Sequence, residues 1–165
     1  SAAVRTMLAL EINRNIATLR DIATKMAKED PNQPVEQARQ LAQFPLNGWE
    51  STTWTEQNVM IPRALSTAQI IQVSAFYSVL DEISGVRAYL KEAFDLINLR
   101  NTTGVTNTRY SDVLPIHYRR ADELRTPLIE LIPSAIALGV TCSNALNGDA
   151  GDQSIPAATS SSSKR

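Results

Sequence analysis

Residues with the chemical groups for catalysis are few and scattered in this chain. His117 is the only histidine and Cys142 the only cysteine, so the sequence offers no Cys/His zinc site and no intrachain disulfide. Neither Ser66 nor Cys142 has a histidine partner that the sequence makes evident, and no glycine-rich phosphate loop is present. We therefore predict no catalytic residues, no metal and no cofactor. His117 is interpreted as a helix-end residue packed against a loop rather than as a general base.

Arg87 is the first candidate for ligand binding, because it interrupts an apolar series. It stands among Val73, Leu80 and Phe94 at seven-residue spacing. A guanidinium at such a position must pair with another group or extend to solvent. One hypothesis is an anion-binding arginine in a sensor bundle. The favoured alternatives are structural: a polar layer that fixes the helix register, formed with Asn15, or a solvent-facing edge.

Three aromatic residues form the second candidate site. Trp49 and Trp54 are the only tryptophans, and Tyr77 follows on the next long helix. These side chains would either line a ligand pocket or, in the favoured interpretation, plug the core. If Arg87 and the aromatics serve a sensor, a cavity should lie next to Arg87, whereas a scaffold should be solidly packed and carry an exposed apolar stripe.

The elements that would position these residues are helices. Apolar residues at heptad spacing predict three long helices over about 3–29, 67–100 and 116–147. Breakers such as Asp30-Pro31 and Asn47-Gly48 leave one or two short helices between the first and second long ones, over about 33–43 and 51–59. The fold class is therefore all-α. Matched lengths predict an antiparallel, up-down-up bundle whose groove or end is covered by the short helices.

The heptad series also predict which side chains are buried. Leu90 and Leu131 should be almost fully buried. Pro127 and Pro133 should kink or break the last helix, and Asn147-Gly148 should end it. The predicted series are Val73, Leu80, Arg87, Phe94 with Phe76, Ile83, Leu90, Ile97, and His117, Leu124, Leu131, Leu138 with Ala121, Leu128, Ala135, Cys142.

Composition bounds the domains and the partners. The chain has 165 residues, a formal net charge of −1 and 43% hydrophobic residues. These values fit one helical domain over residues 1–148, and residues 149–165 have the composition of a disordered tail. The charge balance gives no indication of nucleic-acid binding. The most apolar run, 128–146, is interpreted as a core helix rather than as a membrane span.

Several weak motifs together resemble a known class of protein. They are Glu11-Ile12-x-x-Asn15, then Trp49-x-x-x-x-Trp54, a Pro-Leu turn, and Tyr77-x-x-Leu80-x-x-Ile83. This order is similar to that in small helical domains that follow an N-terminal transmembrane helix in uncharacterised bacterial membrane proteins.

The resemblance spans about residues 8–97 and carries over no catalytic residue. It implies a domain tethered to a membrane only through a segment upstream of this chain, on a side that the sequence does not specify. The favoured function is a non-enzymatic interaction or scaffold domain that binds a protein partner or self-associates. The alternative is a ligand-sensing receptor domain that binds a small anion near Arg87.

Overall fold

The computed structural model describes residues 2–44, 48–102 and 114–154, and the side chains of 100–102 and 149–154 are left aside. All regular structure in this part of the chain is helical, which confirms the predicted fold class. Three long helices enclose the core, and three short helices, rather than one or two, connect the first to the second. The helices are α1 (Ala2–Ala27), α2 (Pro34–Gln43), α3 (Thr52–Glu56), α4 (Ile61–Ala64), α5 (Thr67–Thr102) and α6 (Leu114–Ser154).

Helix α5 follows its predicted pattern closely. It begins with a capping box, in which the Gln69 N–H donates to Ser66 Oγ at 3.2 Å and the Ser66 N–H donates to Gln69 Oε1 at 2.9 Å. This reciprocal pair satisfies two donors at the start of the helix. Both predicted heptad series of α5 are buried apart from Arg87, which is partly exposed, and Leu90 is fully buried as predicted.

Helix α6 buries one of its two predicted series and replaces the other. Leu128, Ala135 and Cys142 are buried as expected, but their partners are Ile132 and Leu146. Leu131 is only partly buried, so the prediction for this residue is wrong. The series that contains Leu131 and Leu138 is thus replaced by one a single position later, which is turned about 100° around the helix.

The two prolines of α6 do not end the helix. Pro127 and Pro133 both lie inside its 41 residues, so of the predicted kink or break, the break does not occur. Pro133 has no N–H, so the Ile129 carbonyl four residues earlier loses its helical hydrogen bond. Both residues are exposed, so water can reach this region and replace the missing donor. The predicted stop at Asn147-Gly148 is also wrong, since α6 continues to Ser154. The rest of the predicted tail, 155–165, lies outside the described residues.

Contacts between the long helices fix their directions. Arg5 reaches the Leu146 carbonyl, and Gly139 lies against Ile16 and Phe76, so α6 runs antiparallel to both α1 and α5. Helices α1 and α5 are parallel to each other, as the contact between Glu11 and Tyr77 near their starts indicates. The up-down-up order is therefore corrected to up-up-down.

The short helices explain the parallel arrangement. Helix α2 lies near the far end of α1, and α3 and α4 lie near its start. Residues 33–64 therefore run back along the bundle and cover the groove between α1 and α5, which is one of the two predicted positions. Helix α6 packs on α1, α2 and α5, and so it is the common neighbour of the larger elements.

Candidate functional site

Glu11 of α1 caps the start of α3. Its side chain lies in the protein interior and its exposure is 4%. One carboxylate oxygen accepts from the Thr53 N–H at 2.6 Å, and the other accepts from the Trp54 N–H at 3.2 Å. These amides belong to the first turn of α3, whose N–H groups have no partner within the helix. An anion supplied by a distant helix thus stabilises the positive end of the α3 dipole.

Tyr77 of α5 adds a third hydrogen bond to the same carboxylate. Its hydroxyl donates to Glu11 Oε1 at 2.5 Å, and its ring stacks on Trp54 with centroids 5.4 Å apart and planes within 1°. Burial, followed by the hydrogen bond to Glu11, raises the pKa of the Tyr77 hydroxyl well above its usual value. Tyr77 therefore remains a neutral donor, and its position is that of an internal brace between α1, α3 and α5.

Asn15 and Trp49 hold the residues just before α3, within the connector, by which we mean residues 28–66 between α1 and α5. The Asn15 amide donates to the Glu50 carbonyl at 2.7 Å and accepts from the Glu50 N–H at 2.9 Å, so it pairs with one residue in the manner of a strand neighbour. The Trp49 indole N–H lies 2.8 Å from the Leu80 carbonyl and 2.6 Å from Ser84 Oγ. We call residues 48–56 the Trp segment. Its backbone is held by the side chains of Glu11 and Asn15 on α1, and its Trp49 side chain is held by α5.

Arg87 caps the end of the short helix α2. Its Nε donates to the Leu41 carbonyl, and its Nη2 donates to the carbonyls of Ala42 and Phe44. These carbonyls belong to the end of α2, where the helix dipole favours a cation. Burial lowers the pKa of Arg87 from its usual value, but the guanidinium remains charged at neutral pH. The predicted polar layer of Arg87 with Asn15 is wrong. Arg87 bonds the carbonyls at the end of α2, whereas Asn15 bonds the backbone of Glu50.

A shallow cleft of about 200 Å³ does lie beside Arg87. It is lined by two further cations, Arg39 and Lys91, and by Asp95. Arg39 pairs with Glu36 at 3.3 Å and Lys91 with Asp95 at 2.8 Å. Each cation at the cleft thus already has a partner. The small-anion hypothesis stays a prediction, with the cleft as its location.

The remaining candidates lie apart from the Trp segment. His117 is in the first turn of α6, half-buried, and its Nε2 has no hydrogen-bond partner within the described chain. Cys142 is buried against the core, and desolvation raises the pKa of its thiol to about 11. A thiol with a raised pKa is a poor nucleophile. Among the described residues no group of His, Cys, Asp and Glu forms a metal site.

The buried Cys142 thiol predicts a loss of stability in alkali. Its pKa rises from 9.0 to about 11 on folding, so above pH 9 the unfolded chain binds fewer protons than the folded one. The contribution of the thiol to the free energy of unfolding is then fully present below about pH 9. The free energy of unfolding should fall as the pH rises towards 11, with a slope approaching about 1.4 kcal/mol per pH unit. Urea unfolding between pH 8 and 11 measures this slope, and Cys142→Ala should remove it below about pH 10, above which Tyr77 begins to ionise in the unfolded chain. An unchanged slope in the variant would contradict the assignment.

Sequence reasoning identified the aromatic residues but missed the role of the polar ones. Trp54 stacks on Tyr77, and Trp49 lies on the same segment with its indole bonded to α5. Both tryptophans are partly buried against the core, and whether they plug it or line a ligand site stays a prediction. Glu11 and Asn15 entered only as parts of a motif. The signal that could have singled them out is their position: both lie next to the buried stripe of α1, where a polar side chain needs a partner.

Comparisons with known proteins give no relative from which a function could be transferred. No family model, no curated protein and no solved structure matches this chain. In the described part of the chain, one helix, over Leu114–Gly148 of α6, is long and apolar enough to cross a membrane, a test that the core helix of a soluble protein also passes. A function for this chain must therefore be inferred from its own geometry.

Proposed function

We propose that this chain is a non-enzymatic helical interaction domain that pairs with a second copy of itself. The observation that carries the proposal is a group of exposed apolar side chains at the end of the bundle remote from residue 2. They are 37–59% exposed and lie on the neighbouring helices α5 and α6. We call them the distal apolar surface: Tyr89, Leu96, Leu99 and Ile116.

The charges around this surface favour a second copy as the partner. Arg120 lies over the Tyr89 ring, 6.0 Å from its centroid, and Arg119, Glu92 and Glu123 are exposed nearby on the same two helices. A rim that carries both signs becomes self-complementary under a two-fold axis, which is the commonest symmetry of protein dimers. An apolar centre with a charged rim is also the usual composition of a protein interface.

The membrane tether belongs to the same proposal as an expectation from the resemblance. An upstream transmembrane segment would join the bundle at the start of α1, opposite the distal apolar surface. The tether would leave that surface free to meet the same surface of a neighbouring molecule.

Sedimentation equilibrium tests the dimer. We expect the unmodified chain to pass from monomer to dimer as its concentration rises. The double variant Leu96→Ser, Ile116→Ser should dimerise at least about tenfold more weakly, since each buried leucine or isoleucine contributes about 1.5–3 kcal/mol. Ile71→Ser is the matched control, because Ile71 is 64% exposed at the other end of the bundle. A chain that stays monomeric at all concentrations, or a control as weak as the double variant, would overturn the proposal.

A further inference from the structure

A groove of about 490 Å³ lies between α1 and α6. Asn15, which holds the Trp segment, is about 200° around α1 from Asn13, so the groove opens on the side of the bundle remote from that segment. We call it the α1–α6 groove, and it is lined by Asn13, Ile16 and Arg20 of α1 and by Val140, Ser143 and Asn144 of α6.

Ser143 brings a buried hydroxyl without a partner to this groove. The residue is 5% exposed, and its hydroxyl is hydrogen-bonded to no other described residue. The hydroxyls of Ser134 and Thr141 on the same helix behave differently, since each donates to the carbonyl four residues earlier, at 3.0 and 3.1 Å. A buried polar group without a partner costs free energy, so the Ser143 hydroxyl is available to a polar group that enters the groove.

Arg20 gives the groove one positive charge. No carboxylate of the described chain pairs with it, and Asp21, the next residue, pairs with another side chain at 3.4 Å. None of the described residues that line the groove is acidic. On α6 the nearest charged residues in the sequence are Glu130 and Asp149, both more than one turn beyond the groove. The Arg20 guanidinium is therefore free to bind an anion there.

The polar groups and the floor of the groove match a small organic carboxylate. A guanidinium binds a carboxylate through two parallel hydrogen bonds, and one cation balances its single charge, whereas a phosphate group carries up to two. The side-chain amides of Asn13 and Asn144 and the Ser143 hydroxyl can each donate, and can also accept from a hydroxyl or amino substituent. Ile16 and Val140 add an aliphatic floor.

We infer that the α1–α6 groove binds a small aliphatic carboxylate through Arg20 and Ser143. The site is separate from the cleft beside Arg87, where each cation already has a partner. It is also separate from the distal apolar surface, so the inference does not require the dimer and stands or falls independently of it.

NMR titration of the isotope-labelled chain with lactate tests this inference. We expect saturable shifts of the backbone amides of Ser143 and Asn144 and of the side-chain amides of Asn13 and Asn144. Lactamide, the neutral counterpart of lactate, should cause much smaller shifts, because it lacks the charge that Arg20 binds. Inorganic phosphate at the same ionic strength tests whether any anion suffices, and equal shifts with phosphate would overturn the assignment to a carboxylate.

Two variants separate binding from folding. Arg20→Gln should weaken lactate binding about tenfold and Ser143→Ala about threefold, since the first removes a charge-assisted contact and the second a neutral one. Arg63→Gln is the matched control, because Arg63 is an exposed arginine on α4 outside the groove, and it should bind lactate normally. Urea unfolding should show that Ser143→Ala is as stable as the unmodified chain, because its hydroxyl has no partner within the bundle to lose.

Four outcomes would overturn the inference. They are the absence of saturable shifts with lactate, shifts confined to the cleft beside Arg87, equal weakening by Arg63→Gln and Arg20→Gln, and a loss of stability in Ser143→Ala. The last would show that the Ser143 hydroxyl serves the fold rather than a ligand.

Discussion

Replacing Glu11 with alanine should lower the free energy of unfolding by about 3–5 kcal/mol, because it leaves three donors in the interior without an acceptor. These donors are the amides of Thr53 and Trp54 and the hydroxyl of Tyr77. Glu11→Gln keeps the shape and one oxygen acceptor, so its loss should be smaller, about 1–2 kcal/mol. Urea unfolding at pH 7, followed by circular dichroism, measures both values.

Two controls make the result specific. Glu56→Ala removes an exposed carboxylate from the same short helix and should change stability by less than about 0.5 kcal/mol. Tyr77→Phe, alone and combined with Glu11→Gln, gives a double-mutant cycle in which non-additivity reports the contact between the two side chains. If Glu11→Ala loses less than about 1 kcal/mol, the Trp segment finds other partners and the cap is dispensable.

Tryptophan emission separates local from global unfolding in these variants. Both tryptophans of the chain lie in the Trp segment, so the signal reports on that segment. A red-shifted, iodide-quenchable emission at unchanged helix content would show that the segment detaches while α1, α5 and α6 stay packed. Emission and helix content that change together would show one cooperative unit.

The second large effect is expected at Gly139, where α6 approaches both of the other long helices. A Cβ atom there would lie 2.6 Å from Phe76 Cε1 and 2.8 Å from Ile16 Cγ1, both on buried side chains. Gly139→Ala should therefore destabilise the protein by about 1–2 kcal/mol, even though alanine favours a helix by about 1 kcal/mol over glycine. Gly139→Val, with two more methyl groups to place, should lose more than about 3 kcal/mol.

Gly85 provides a control with the opposite sign. It lies inside α5, and a Cβ atom there would meet nothing within 4 Å. Gly85→Ala should raise the free energy of unfolding by about 0.5–1 kcal/mol, because it reduces the backbone freedom of the unfolded chain. Thermal and urea unfolding of the two alanine variants compare the same chemical change in two surroundings. If Gly139→Ala instead stabilises the protein, the side chains of Phe76 and Ile16 can move aside at little cost, and the packing of α6 does not require a glycine at this position.

The heptad pattern predicted the buried stripe of α5 well because both of its seven-residue series are apolar apart from Arg87, although Ile71, Tyr89, Leu96 and Leu99 are exposed on the same helix. In α6 the pattern could not choose between two stripes, since Leu131 and Leu138 compete with Ile132 and Leu146 as partners of Leu128. Gly139 decided the outcome: its missing side chain allows close packing, a feature that a count of apolar residues overlooks. The stripe with the glycine faces the other helices.

Directions and caps were less predictable, because they depend on contacts distant in the sequence. Helix lengths gave no reason to expect α1 and α5 to run in parallel, since that arrangement results from the connector running back along the bundle. The role of Glu11 is set by amides 42 and 43 residues away. Arg87 was noticed because it interrupted an apolar series, but its partners, the carbonyls at the end of α2, could not be read from the local pattern. Local sequence marks a buried polar residue without identifying its partner.

The position of α6 as the common neighbour has a consequence for the chain during translation. Synthesis proceeds from the N-terminus, so α1, α2 and α5 leave the ribosome before the helix against which they pack exists. Until Leu128 and the residues after it emerge, the buried stripe of α1 and that of α5 lack their main cover. Such nascent chains expose apolar surface and are typical clients of chaperones. A product that terminates before α6 should therefore be a target for proteolysis.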